Sequence, residues 1–210
     1  MVRQPLQQIL GEKIDVLAEV LRDEVNLAIW QRRLPAVPGA FAAALLVRGE
    51  PLAESMVLEL AHPESAPKLD SLLARYGELP GHAAFLADIG WLVGAFACLV
   101  DAKRIGLRLR VLDQAMCPRF HVDHVPLRLI TSYAGVGSQW LREGVMARSR
   151  LGDPAAEPVE EAQIERAEAG HVLLAKGERW IGNEGGGLIH RSPKPPADER
   201  RLLLTLDWLT

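Results

Sequence analysis

Residues 106–113, GLRLRVLD, alternate apolar and charged side chains, the period of two that a half-buried strand requires. Runs of the same character follow: RLITSYAG at 128–135, HVLLAKG at 171–177, GGLIH at 186–190 and RLLLTLDW at 201–208. Each is branched or leucine-rich and is bounded by glycine, proline or charge. Such a succession predicts a sandwich or barrel over residues 104–210.

Upstream the period differs. Leu6, Ile9, Ile14, Leu17, Leu21 and Val25 fall at roughly helical spacing and predict an amphipathic helix over 5–25. VNLAIWQRRLP at 25–35 reads as a short extended piece or turn that anchors Trp30. Pro35 and Pro38 break the chain before a helix in FAAALLVRG at 41–49. Further helices are expected near 68–76 and 82–103, set apart by Pro63, Pro67, Gly77, Pro80 and Gly81. The expected organisation is α+β: a mostly helical segment over 1–103, packed on a β domain over 104–210 and covering its sheet edges.

The chain has 210 residues, 49% of them hydrophobic, which suffices for one sizeable core. Its net charge is -3, and no basic run is interleaved with aromatics, so a nucleic-acid partner is not expected. Cys98 and Cys117, the two cysteines, make no disulfide scaffold and fit a reducing compartment. The first residues carry Glu and Asp through their apolar pattern and lack a signal-peptide core. AAFLADIGWLVGAFACLV at 83–100 is apolar enough to resemble a membrane span, but Asp88 and two glycines within it favour a buried helix. A cytoplasmic protein without a membrane partner is the expectation; its oligomeric state is open. There is no internal repeat, and the glycines at 185–187 precede neither a helix nor a lysine, so they form a turn rather than a phosphate cradle. A serine hydrolase is disfavoured: no G-x-S-x-G elbow occurs, and Ser192 beside Arg191 is no recognisable nucleophile.

The chemistry lies in MCPRFHVDHVPLRLITSY at 116–133. In extended chain, residues two apart project to one side, so His121 and Asp123 can point into one cavity. His190, at the end of GGGLIH and before a proline-containing loop, is the best third ligand. Two histidines and a carboxylate form a facial triad that leaves positions open on ferrous iron. Zinc accepts the same set with water as the remaining ligand, so the residues leave the metal open. H-x-D alone is a weak signal. On its plainest reading His121 is a turn histidine and Asp123 caps backbone.

Neighbours compete for the assignment. Cys117 and His124 with His121 and Asp123 would make a zinc site, although His124 points the other way in a regular strand, and an isolated cysteine is more often buried filler. Arg128 meets substrate or a structural carboxylate. Gln139 and Trp140 line a cavity mouth or pack in the core, and Lys176 faces solvent by default. His62, His82 and His171 are read as non-ligating.

H-x-D, a distal histidine and a basic residue on a last strand resemble the double-stranded β-helix iron and 2-oxoglutarate dioxygenases, above all the prolyl-hydroxylase-like branch. The resemblance rests on HVD at 121–123, HRSP at 190–193 and RRLLLTLDW at 200–208. It implies a jelly-roll, cupin-like core and Fe(II) held by His121, Asp123 and His190, with 2-oxoglutarate as co-substrate. It also implies that Arg201 clamps the far carboxylate of 2-oxoglutarate, with adjacent Arg200 keeping that choice open, and that Tyr133 hydrogen-bonds the same co-substrate. The substrate would be a small molecule or a protein side chain. AIWQR at 28–32, CPRFHVDHVPLRLITSYAG at 117–135 and GHVLLAKGERW at 170–180 are also similar to a bacterial domain-of-unknown-function family. That family is associated with zinc-responsive gene neighbourhoods, which implies the alternative of a zinc-binding protein of zinc homeostasis using the same triad.

Overall fold

The computed structural model describes residues 5–209. Ten strands and two α-helices follow one another as β1 (Gln7–Gly11), β2 (Val25–Trp30), α1 (Ala36–Val47), β3 (Ala53–Glu59), α2 (His82–Val100), β4 (Arg104–Leu112), β5 (Leu127–Ala134), β6 (Gln139–Leu141), β7 (Ile164–Arg166), β8 (Val172–Lys176), β9 (His190–Arg191) and β10 (Arg201–Trp208). A seven-stranded sheet has the order β1-β2-β8-β5-β10-β4-β3, and a three-stranded sheet the order β7-β6-β9.

The large sheet separates two cores. Leu107 and Leu109 of β4, Leu127 and Leu129 of β5, and Leu202, Leu204 and Leu206 of β10 bury one face against Phe41, Phe85, Ile89 and Phe96 of the helices. Each such side chain contributes on the order of 1.5–3 kcal/mol. Residues of opposite parity, Ile130 and Leu203, join Leu27, Ile29 and Leu173 on the inner face. There they meet Trp140 of the small sheet and Leu188 beside it. The alternation in GLRLRVLD thus becomes leucines toward the helices and Arg108 and Arg110 toward the inner face.

The helical expectation for the first half is corrected. Residues 5–25 form β1, a 3₁₀ helix at Ile14–Leu21 and the start of β2, rather than one amphipathic helix. Helical spacing survives only in the 3₁₀ segment, which buries Val16, Leu17 and Val20 while linking two parallel strands. Gln7–Gly11 gains more by completing hydrogen bonds with β2 than a lone turn of helix would. Residues 68–76 are turns ending in a 3₁₀ helix at Ala74–Tyr76. Strands from both sides of residue 103 share the large sheet, for β3 pairs with β4 and β2 with β8. The region is therefore strand and helix mixed, not mostly helical.

Helix α2 is long and apolar enough to cross a membrane by length and composition. Its Phe85, Ile89, Leu92, Val93 and Phe96 lie in the core against the sheet. Asp88 in its middle is ion-paired: Arg32 donates from Nη1 and Nη2 to its two oxygens at 2.9 and 3.0 Å. Both side chains are largely buried, so Asp88→Ala leaves an uncompensated guanidinium. The expected cost is about 3–5 kcal/mol, a fall in Tm of roughly 6–20 °C by calorimetry or circular dichroism.

Candidate metal centre

Residues 118–126 run between two prolines without forming a strand; only His121 is paired, as an isolated bridge to His190. The bridge is reciprocal, with N–H to C=O distances of 3.0 Å from His121 and 2.9 Å from His190. It brings the imidazole centroids to 4.6 Å. Asp123 is held from behind, where its carbonyl accepts the Glu178 N–H at 2.9 Å. Gly177 makes that approach possible, since a Cβ there would lie 2.6 Å from the Asp123 carbonyl oxygen and 2.1 Å from that of Val125.

One donor atom from each of His121, Asp123 and His190 lies within 4.8 Å of the others. Nε2 of His190 is 3.3 Å from Asp123 Oδ2, and Nε2 of His121 is 3.7 Å from Oδ1. Nδ1 of His121 faces the Arg119 carbonyl at 2.9 Å, and Nδ1 of His190 that of Leu188 at 3.0 Å. The carbonyls at both Nδ1 atoms favour a proton there and turn each Nε2, the atom a metal would take, toward the carboxylate. Burial opposes ionisation of Asp123, but His121, His190 and Arg128 outweigh it and hold its carboxyl well below the usual range. Burial likewise pulls His121 down, while Asp123 and the Arg119 carbonyl more than compensate, raising it.

Arg128 carries the support outward. Its Nη1 donates to Asp123 Oδ2 at 2.6 Å and its Nε to Asp207 Oδ1 at 2.5 Å. The sequence reading left Arg128 on substrate or a structural carboxylate; it spans two carboxylates. Regular alternation from Asp123 would put it on the opposite face, but the turn at 124–126 resets the parity before β5 begins.

Arg201 is fully buried. Nε, Nη1 and Nη2 donate to the hydroxyls of Ser132, Ser192 and Ser138 at 2.9, 3.2 and 2.7 Å, and among the described residues no carboxylate pairs with it. Burial lowers its pKa to about 10, so it remains cationic at neutral pH. A narrow cavity is lined by His121, His190, Arg128, Ile130, Ser138, Leu203, Thr205 and this guanidinium. Gly135, at φ +76°, lets the turn after β5 pass beside β10: a Cβ there would sit 2.9 Å from the Arg201 Cα. Arg200 lies outside this cavity.

Tyr133 is not brought to the site. Its hydroxyl donates to Asp88 Oδ2 at 2.5 Å on the helix-covered side, where its ring packs against Phe85. In β5 Arg128 and Ile130 line the cavity and Ser132 accepts from Arg201, so an odd-numbered tyrosine faces away. His124 is exposed and outside the triad, while Cys117 lines the cavity without joining the cluster. Trp140 packs in the inner core, and Gln139 accepts from Arg191. Lys176 is buried rather than solvent-facing, donating to the Arg22 carbonyl at 2.7 Å over the Trp180 ring. Reading residues singly missed Ser132, Ser138, Ser192 and Asp207. Parity along β5 and β10 carries a signal for Ser132 and Asp207. Ser138 and Ser192 come from loops and leave none.

Fold and site together define a mixed α/β protein with one large sheet and a candidate His/Asp/His metal centre on its inner face. The chain belongs to the family described as "Protein of unknown function (DUF1826)", whose model matches residues 11–207. No curated protein matches it. Among solved structures it is similar to a putative oxygenase from Shewanella oneidensis, at 11% identity and a TM-score of 0.51, covering 97% of this chain and 90% of that one. A Pseudomonas putida prolyl-4-hydroxylase aligns at 14% identity and a TM-score of 0.48, covering 93% and 97%. HygX from Streptomyces hygroscopicus with iron bound aligns at 10% and 0.49, covering 93% and 85%. At such identities the likeness is one of fold.

Proposed function

We propose that this protein is a non-haem Fe(II)/2-oxoglutarate-dependent oxygenase on a double-stranded β-helix, acting on a small molecule or a protein side chain. His121, Asp123 and His190 would hold the metal, and Arg201 would take the distal carboxylate of 2-oxoglutarate. We place the metal chemistry in residues 104–210, with 1–103 completing the sheet through β1–β3 and backing it through α1 and α2. The observation that carries the reading is Arg201: a fully buried guanidinium, in the same cavity as both histidines, with three hydroxyls and, among the described residues, no paired carboxylate. A buried cation without a carboxylate is costly, and a planar two-donor fork suits a carboxylate ligand.

The donor set fits a divalent metal, with two imidazoles, one carboxylate and no thiolate. Iron bound there would supply dioxygen activation coupled to decarboxylation of 2-oxoglutarate. The chain's own part is positional. Arg128 holds Asp123 ionised and oriented, the Arg119 and Leu188 carbonyls fix the imidazole tautomers, and Ile130 and Leu203 give the cavity apolar walls.

The test is an anaerobic titration of metal-free protein with ferrous iron and 2-oxoglutarate, following the weak visible charge-transfer band of the chelated complex. A saturable band that requires both additions is expected. Folded, stoichiometrically loaded protein with no band, holding zinc far more tightly than iron, would sink the oxygenase reading in favour of a zinc site on the same triad.

A further inference from the structure

We propose, resting on the oxygenase reading, that the group acted upon belongs to a substrate bearing a small oxyanion, a carboxylate or phosphate, which Arg110 of β4 grips. The cross-strand register places the site. On β4, Arg110 lies opposite Leu203 and Arg108 opposite Thr205 of β10. Leu203 and Thr205 line the cavity with His121, His190 and Arg201. Both arginines therefore stand on the inner face, one strand spacing, roughly 5 Å, from the cavity wall.

The charges on this face do not balance. Arg108, Arg110, Arg128 and Arg201 share it with the carboxylates of Asp207 and Asp123. Asp207 is bound by Arg108 and Arg128, and Asp123 by Arg128. Arg201 is the cation given to 2-oxoglutarate. Arg110 is left over: among the described residues its side chain has no hydrogen-bond or ion-pair partner, and its Nε is closed off from solvent without an acceptor. Of the Arg110 nitrogens Nε alone is closed off, so an anionic ligand would meet the terminal nitrogens and offset the unpaired charge.

The adjoining surface leaves room for that ligand. Opposite Arg110 and Arg108 on the edge strand β3 stand Ala53 and Ser55, small and exposed, on the same inner face. Asp207 is already held by Arg108 and Arg128, and among the described residues no carboxylate is ion-paired to Arg110. A substrate seated on this shelf would be anchored at its anionic end by Arg110 and would extend past Leu203 and Thr205 toward the triad.

The probes are inorganic phosphate and acetate, each titrated calorimetrically at constant ionic strength against chloride. The protein is first loaded with nickel, which does not turn over, and with 2-oxoglutarate, so that Arg201 is occupied. Saturable binding of at least one probe is expected. Arg110→Gln should weaken it about 10–100-fold, the loss of one charge-assisted contact. Arg110→Lys should keep most of it, and Arg142→Gln, at a distant exposed site, should leave it unchanged. Phosphate alone or acetate alone identifies the oxyanion. Binding no better than chloride, or equal in wild type and R110Q while 2-oxoglutarate still loads, overturns this proposal and leaves the oxygenase reading standing. Failure of 2-oxoglutarate to load strikes that reading instead. Oxyanion binding that still depends on Arg110 in an Arg201→Met background would then support the Arg110 site alone.

Discussion

Replacing His190 with alanine is expected to lower metal affinity by at least about 100-fold and to abolish the charge-transfer band, with the fold kept. The magnitude follows from position. Loss of an outer partner of a metal ligand costs on the order of 10–100-fold, and His190 would be a ligand itself. The fold should survive because the bridge between His190 and His121 is made by backbone groups that alanine retains. Cutting the imidazole also removes a contact at 3.3 Å from Asp123, but Arg128 still neutralises that carboxylate. Competitive chelator titration with ferrous iron and with zinc measures the effect for both metals. If H190A binds both as tightly as wild type does, the triad is not the metal site.

Arg201→Met separates the cost of a buried charge from its use. In the ligand-free protein this guanidinium has only the hydroxyls of Ser132, Ser138 and Ser192 to offset its desolvation. Exchanging a buried charge for an apolar side chain of similar length is often neutral or stabilising. The Tm of ligand-free R201M is therefore expected to equal or exceed that of wild type. Its affinity for 2-oxoglutarate should nevertheless fall about 100-fold or more, since a two-point contact between charged groups is worth on the order of 1.5–3 kcal/mol per bond. Thermal shift with and without metal and 2-oxoglutarate reads both at once. A variant that unfolds early yet binds 2-oxoglutarate normally would assign Arg201 a structural role.

The two devices fail differently. H190A should lose metal and co-substrate together, because chelation needs the ion. R201M should keep the metal, since Arg201 contacts none of the three ligands.

The site was more legible in the sequence than its surroundings. H-x-D placed His121 and Asp123 side by side because two successive peptide units of extended chain return a side chain to the same direction, even where only one residue is hydrogen-bonded to a neighbour. The alternation in GLRLRVLD and RLLLTLDW determined which residues of β4 and β10 face the helices, since period-two burial is a local property of strands. Arg201, Leu203, Thr205 and Asp207 follow from one another by that rule.

Tyr133, assigned by resemblance, lies on the helix-covered side instead. Its distance from Asp123 crosses the irregular turn at 124–126, and parity does not pass through a segment that lacks strand geometry. Residues 5–25 failed for another reason. Spacing that suits an amphipathic helix also suits two short strands joined by a 3₁₀ turn, and the choice rests on partners far along the chain: β2 is hydrogen-bonded to β8.

By itself, then, the sequence determined the strand faces, the pairing of His121 with Asp123 and the presence of a distal histidine, all of them consequences of local backbone period. Tertiary structure alone decided that His190 meets His121 through a backbone bridge, that Arg128 braces Asp123, and that three serines from separate segments enclose Arg201. Most of those contacts join residues distant along the chain, and the short-range one, Arg128 to Asp123, crosses an irregular turn that no period describes. Their energy depends on how two sheets and two helices pack, which no local pattern encodes.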